Sequence, residues 1–284
     1  MKPLFRDLAF IVGTAAIVGF SSFGLVSTAG LARDSVAAQI KRTADGKPDF
    51  SGIWQTTSTA NWDLLTHDAR PMVAQPGIYP DVPVLAAPVV ALGTVGWVPP
   101  GIGVVEGDEI PYQEWAKKRK QENAANWLDR DPELKCYMPG VPRAMYLPYP
   151  FQIFQGTNKI MMIFEFANAQ RAISLDKVDK YPGDAYMGYS VGHWEGDTLV
   201  VETTGFRDGL WLDIDGDPLT EQAKVTERFR RPNFGTLEID VTIDDPKAYT
   251  HSFTVRVNQR IMVDTELIEF ICEDRDATHY VGAK

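Results

Sequence analysis

Cysteine, histidine and basic charge are all scarce in this 284-residue chain, and each shortage removes a class of function. Its two cysteines, Cys136 and Cys272, form no CxxC, so they build neither a zinc knuckle nor a dithiol redox motif. Four scattered histidines do not make a three-histidine zinc site. Lysine and arginine number 28 against 38 aspartate and glutamate, a formal charge of −10. That deficit argues against nucleic-acid binding, which needs a basic surface to displace counterions from phosphates, and against docking on anionic membranes. A chain that is 23% charged is not a multi-span membrane protein. G-x-S-x-G, HExxH, a phosphate-binding glycine loop and a dinucleotide fingerprint are all missing. Hydride and phosphoryl chemistry have no visible machinery, and no cofactor or metal is expected.

What is present describes a folded protein of one large domain or two small ones, 44% hydrophobic and 11% aromatic. Lys2 and Arg6 precede an apolar run from Leu8 to Val26 that ends in Ser27-Thr28-Ala29. A short positive region, an apolar stretch and small residues before a cut describe a signal peptide over 1–29. The competing reading is a permanent membrane anchor, which the many small residues disfavour. A second cut is available after Ala38. Export predicts a periplasmic or secreted protein with no membrane attachment once the signal is removed. Losing Lys2, Arg6 and Asp7, a net +1, moves the charge from −10 to about −11. In an oxidising compartment Cys136 and Cys272 invite a disulfide, which the chain-entropy account values at about 4–5 kcal/mol. The alternative is two buried thiols.

Residues 30–48 read as a flexible lead-in, and 49–284 as a single domain. Asp49 to Gln55 alternates as a first strand. Residues 56–150 read as an inserted cover. Seven prolines between Pro71 and Pro100 forbid a central strand or a regular helix there. Pro111 to Asn126 carries strong helix formers behind a proline suited to a first turn. After Phe151, strands are expected at 151–156, 159–167, 170–175, 187–194, 197–206, 222–231, 235–244, 249–258 and 265–273, each bounded by turn residues. Connections this short predict an antiparallel meander, with too few helices for parallel crossovers. A meander protects its edges by closing into a barrel or folding into a sandwich, and with no internal repeat closure is favoured. The fold class is therefore all-β: an antiparallel meander closing into a barrel under a proline-rich, partly helical N-terminal cover.

Parity within the strands places side chains. Leu237, Ile239, Val241 and Ile243 share one face. Glu227 falls on the face of Val225 and Phe229, and His251 on the face of Phe253, Val255 and Val257. A carboxylate and an imidazole are thus expected together inside the barrel, provided that no bulge shifts the register.

Gly52-Ile53-Trp54 beside the first strand resembles the G-x-W signature of lipocalin-like (calycin) barrels. Val104 to Tyr112, Cys136 to Arg143, Pro148 to Ile153, His193 to Val201 and Asp245-Pro246-Lys247 resemble blocks of a large family of exported bacterial proteins of uncharacterised function. These blocks span most of the chain after residue 100. The resemblance implies export and one continuous fold, and it brings no agreed reaction or active site. Its members often carry histidine near the positions of Leu219 and Lys224, so this chain departs from them there.

Several residues are candidates for chemistry. Glu227 on an apolar face suits a general acid or base, with His251 completing the pair. The bland reading bridges Glu227 to an inward arginine or tyrosine and leaves His251 at a rim. His193, beside Trp194 and Tyr189, lines a cavity mouth or sits on a surface hairpin. Asp213, Asp215 and Asp217 alternate around a glycine, a spacing that suits Ca²⁺, yet the sequence fails the EF-hand template. Asp213, following Trp211, could instead face a ligand. Arg143, Tyr146 and Tyr149, with Trp97 and Tyr112, form an aromatic and cationic set that either lids a cavity or clads the outer wall.

The function these residues predict is cofactor-independent acid/base chemistry of a lyase, hydratase, isomerase or hydrolase type on an apolar or aromatic small molecule. Glu227, His251, His193 and Asp213 would be catalytic, and Tyr189, Trp211, Arg143, Tyr146 and Tyr149 would bind. The alternatives are a non-catalytic carrier barrel and a structural module with a filled core.

Overall fold

Nine strands close into a barrel in a computed structural model, which describes residues 40–73, 83–84, 97–176 and 183–270. In chain order they are β1 (Gly52–Thr56), β2 (Phe151–Gln155), β3 (Lys159–Phe164), β4 (Gln170–Ser174), β5 (Tyr189–Glu195), β6 (Thr198–Thr204), β7 (Lys224–Asn233), β8 (Thr236–Asp244) and β9 (Phe253–Met262). Each strand pairs with its neighbours in sequence, and β1 closes the ring between β2 and β9, with Trp54 opposite both Phe151 and Ile261. The barrel expected from the meander is therefore present.

Two details differ from expectation. Residues 265–270 form no strand, and 271–273 lie outside the described residues. β4 and β5 run parallel, with Ser190 opposite Ile173, whereas every other barrel pair is antiparallel. The two differences are connected. Around a closed ring, strictly alternating directions need an even number of strands, so nine force at least one parallel step. That step falls across the long connection between Ser174 and Tyr189, where a crossover has room.

Turn chemistry sets the hairpins. Gly196 has φ +60° in the two-residue connection between β5 and β6. Pro232 cannot donate to a ladder, and the β7–β8 register shifts between Arg230 and Asn233. Inside, alternate residues are buried: Leu237, Ile239, Val241 and Ile243 of β8 lie against Val225, Phe229, Val255 and Val257. Trp54, on the G-x-W segment, is fully buried, donates its indole N–H to Phe50 O at 2.9 Å and lies under the Arg231 guanidinium. With interior side chains of this size, the barrel centre is a packed core.

The cover both caps and clads. The turn Arg143–Met145 enters one mouth, where Met145 O accepts from inward-facing Gln259 at 2.7 Å and its sulfur meets Arg171. Val104 to Glu106 runs along the edge of β9 that β1 leaves bare: Arg256 N donates to Val104 O and Glu106 N to Thr254 O. Helix α1 (Glu114–Ala125) begins three residues later than expected and buries only Ala116 and Asn123. It lies against a short hairpin, Leu210–Trp211 paired with Pro218–Leu219, inside the long connection between β6 and β7.

Candidate functional site

The sequence candidates separate on the structure. Glu227 is fully buried in the barrel, and its carboxylate takes both terminal nitrogens of Arg171, with Nη1 to Oε1 at 3.0 Å. Ser190 and Thr203 complete the guanidinium's bonds at 2.9 Å each. Of the two readings of Glu227, the geometry is that of the bridge to an inward arginine. Arg171 shares parity with Ile173, a signal available in the sequence for an inward arginine.

His251 does not join Glu227, which corrects the expected pair. β9 begins at Phe253, so parity does not extend back to residue 251. His251 is exposed, with Nδ1 3.2 Å from Thr250 Oγ1. His193 lies on the outer wall, 61% exposed and 3.3 Å from Glu195 Oε1. Hydrogen bonds from Arg228 and His193 pull Glu195 below the usual carboxylate range. His193 is a surface hairpin residue.

Arg143 is buried and fully engaged. It donates to both oxygens of Asp131 (2.6 and 2.9 Å), to Glu133 Oε2 (2.7 Å) and to Asn61 Oδ1 (3.0 Å). Burial opposes its charge, and Asp131 and Glu133 outweigh that to raise its pKa. Such a pair, left with one member, is strongly destabilising, so Arg143 reads as a fastening for the cover rather than a ligand contact. Tyr149 packs half-buried against Phe166 and Phe270. Tyr189 is half-buried, its ring against Gly205. The Trp97 side chain and Cys272 lie outside the described residues. Cys136 is disulfide-bonded.

Asp213 is where the observations converge. The hairpin holds an aspartate-rich run, 212–217, that folds under α1. Asp213 is fully buried, and its two oxygens accept from Leu64 N (3.0 Å) and Asp217 N (3.2 Å). Asp217 is fully buried too. Its Oδ1 accepts from Tyr112 OH at 2.5 Å, while Oδ2 has no hydrogen bond and lies 3.5 Å from Lys120 Nζ. At that separation the ammonium compensates charge without a bond. Lys120 Nζ bonds Asp215 Oδ2 at 2.9 Å, and Arg70 takes Asp215 Oδ1 at 2.8 Å. Asp63 is buried nearby and caps Leu65 N. Asn61 O accepts from Ile214 N, Tyr146 OH donates to Leu212 O at 2.7 Å, and Tyr249 OH to Pro218 O at 2.7 Å. The alternating aspartates thus surround an ammonium, and that argues against Ca²⁺. Among the described residues no group of His, Cys, Asp or Glu is placed to hold a metal ion.

Charge states follow from the crowding. Burial, with Asp217 beside it, pushes Asp213 well above the usual carboxylate range, and burial raises Asp217 and Asp63 as well. Burial alone would lower Lys120, but Asp217, Asp213 and Asp215 outweigh it and hold the amine charged. Burial also favours neutral Asp215, yet Lys120 and Arg70 keep its carboxyl below the usual range. Burial and Asp217 push Tyr112 far up, so it stays a donor. Tyr146 is raised by burial and then by Asp213.

A cleft of about 440 Å³ opens beside this cluster, between α1 and the hairpin. Trp115, Arg119 and Asn123 line it from the helix, one turn apart, and Leu210, Trp211, Pro218 and Leu219 from the hairpin, with Asp208 and Lys247 also on its wall. Asn123 joins the two regions: it lines the cleft and donates to Gly216 O at 2.9 Å. Trp211, a sequence candidate, lies on the wall of this cleft. Lys120 and Asp63 were missed because nothing in their local sequence marks them, and Tyr112 stood out only as part of the aromatic set, not as the donor to Asp217. A second groove, about 520 Å³, runs outside the barrel between Thr57–Thr59 and Pro100–Glu106.

No family model matches the chain, nor does any curated protein or solved structure.

Proposed function

We propose that this is an exported barrel protein that binds a small organic molecule with an apolar or aromatic body and an anionic end, in the cleft between α1 and the Leu210–Leu219 hairpin. The lining of that cleft carries the reading: the exposed indole of Trp115 beside Arg119, facing a floor formed by the largely buried Trp211, Leu210, Pro218 and Leu219. Indole and aliphatic surfaces suit a flat apolar body. Among the described residues Arg119 meets only Glu122 as an ion-pair partner, at 3.7 Å, which leaves its fork able to take a carboxylate or sulfonate. Lys247 is already engaged by Glu221 at 2.9 Å. A disulfide-bonded Cys136 and the leader-like residues 1–29 support export into an oxidising compartment. The lipocalin-like and exported-family resemblances belong to the same proposal.

Binding is favoured over catalysis because Glu227 is held by Arg171 and the histidines His193 and His251 lie exposed outside the site. The acid/base reading keeps one supporting observation, the buried Asp217 oxygen without a hydrogen bond beside the raised carboxyl of Asp213.

Calorimetric titration with naphthalene-1-sulfonate, a flat anion, tests the proposal. Removing the indole in Trp211→Ala is expected to weaken binding at least about tenfold, roughly 1.4 kcal/mol. Equal affinity in the variant and the parent, or no binding to either, would reject the cleft.

A further inference from the structure

We propose that the Asp213–Asp217 pair is a proton-operated latch: with a proton held between them the Leu210–Leu219 hairpin stays folded under α1 and the cleft keeps its wall, and loss of that proton releases both. The proposal rests on the cleft reading for its consequence but on separate observations for its mechanism.

The hairpin supplies four cleft-lining residues, yet Leu212 is the one apolar side chain its turn buries completely. The remaining fastenings of residues 212–217 are polar: Tyr146 OH on Leu212 O, Leu64 N and Asp217 N on Asp213, Asn61 O on Ile214 N, Lys120 and Arg70 on Asp215, Asn123 on Gly216 O, and Tyr112 OH on Asp217. Charged and titratable groups face the pair from every element packed against it. Asp215 belongs to the hairpin itself. Asp63 and Arg70 come from the segment after β1, with His67 beside Asp63, while Tyr112 comes from just before α1 and Lys120 from its middle. Arg143 and Tyr146 come from the cap, and Tyr249 from the turn before β9. Against four carboxylates, Lys120 is the one cation among the described residues that bridges two of them, and Arg70 reaches only Asp215. Arg143 is already committed to Asp131 and Glu133. Two carboxylates enclosed this way, one with an oxygen that receives no hydrogen bond, cannot both carry full charge without strong repulsion, and the proton belongs to the pair.

The direction follows from linkage. Burial raises both Asp213 and Asp217 in the closed form, and the charge of Asp217 raises Asp213 further. A hydrogen bond from Asp213 only partly offsets the rise of Asp217. In an opened, solvated hairpin both return to the ordinary carboxylate range. Closing therefore takes up a proton. Closure is strongest below the ordinary carboxylate value, weakens as pH climbs from there towards the closed-state value, and is level beyond it. Lys120 lowers both closed-state values, so its removal must extend the weakening to higher pH and deepen it.

Hydrogen exchange on the full chain, read by mass spectrometry between about pH 4 and pH 9, spans that window. Exchange rates over 210–219 are divided by the intrinsic rate at each pH and compared with those of β7 and β8. Hairpin protection is expected to fall about tenfold or more with rising pH while the β7–β8 values stay level. The Kd for naphthalene-1-sulfonate should rise in parallel. Asp213→Asn should flatten both profiles. Lys120→Met should carry the fall to higher pH, whereas a lysine that merely held the hairpin would lower protection evenly. The Lys120→Met and parent profiles decide the matter even if Asp213→Asn does not fold. Hairpin protection that is flat in pH overturns the latch, including the case where probe affinity alone changes. Protection that falls with pH, without probe binding at any pH, supports the latch and rejects the cleft instead.

Discussion

Glu227 and Arg171 are a case in which the surroundings, rather than the residue type, decide what a buried charge does. A carboxylate on an apolar strand face is costly unless it is paired, and the fork of Arg171 pairs both its oxygens. Removing one partner leaves the other buried and uncompensated. Arg171→Met is therefore expected to lower unfolding free energy by about 3–5 kcal/mol in urea melts. Arg171→Met combined with Glu227→Met should recover most of that loss, because an apolar pair strands no charge. A double variant no more stable than the single would show that the ion pair is not the source of the loss. The inward placement of Glu227 was legible from its parity with Val225 and Phe229. Its partner could be matched only once β4 to β7 lay side by side in the barrel, because no local pattern links residues 171 and 227.

At the scale of elements, alternation worked inside strands and failed at their ends. Leu237 to Ile243 point inward as their spacing implies. His251 was misplaced by extending the same rule past Phe253, where the chain is still turning. The 206–222 connection was legible only in part. Asp213 and Trp211 stood out, but the groups that give Asp213 its character arrive from Asp63, Tyr112 and Lys120, and tertiary contacts of that range leave no spacing to read. Within the hairpin, Gly216 adopts φ +89°, and a Cβ there would come within 2.5 Å of Asn123 Cβ. Gly216→Ala should thus push the hairpin off α1. The expected result is at least ~1 kcal/mol of lost stability from the left-handed backbone alone, with weaker probe binding. A variant with unchanged melting and unchanged affinity would mean that the hairpin needs no close approach to the helix.

For the whole molecule, the cover is part of the wall. The part of β9 beyond the reach of β1 takes its edge partner from Val104 and Glu106, so residues 56–150 cannot be regarded as an ornament on a finished barrel. Replacing residues 100–110 with a glycine–serine linker of equal length should bare that edge and produce self-association, visible as higher-mass species in size-exclusion chromatography. A monomer that elutes like the parent would contradict this. That the strands would close was legible from their number and short connections. The extra expected strand at 265–273 hid the odd count, and with it the parallel step between β4 and β5.

The position of β1 also sets an order of assembly. β7, β8 and β9 meet across short turns, whereas Trp54 must find Phe151 and Ile261 across the largest sequence separations in the ring. Contacts so distant form slowly, since the chain between them is ordered before they reward it. Until β1 arrives, β2 and β9 face each other across a gap and each offers an unpaired backbone. The last stave placed is the one that ends this exposure, so the chain's greatest risk of pairing with a stranger comes at the final step of folding.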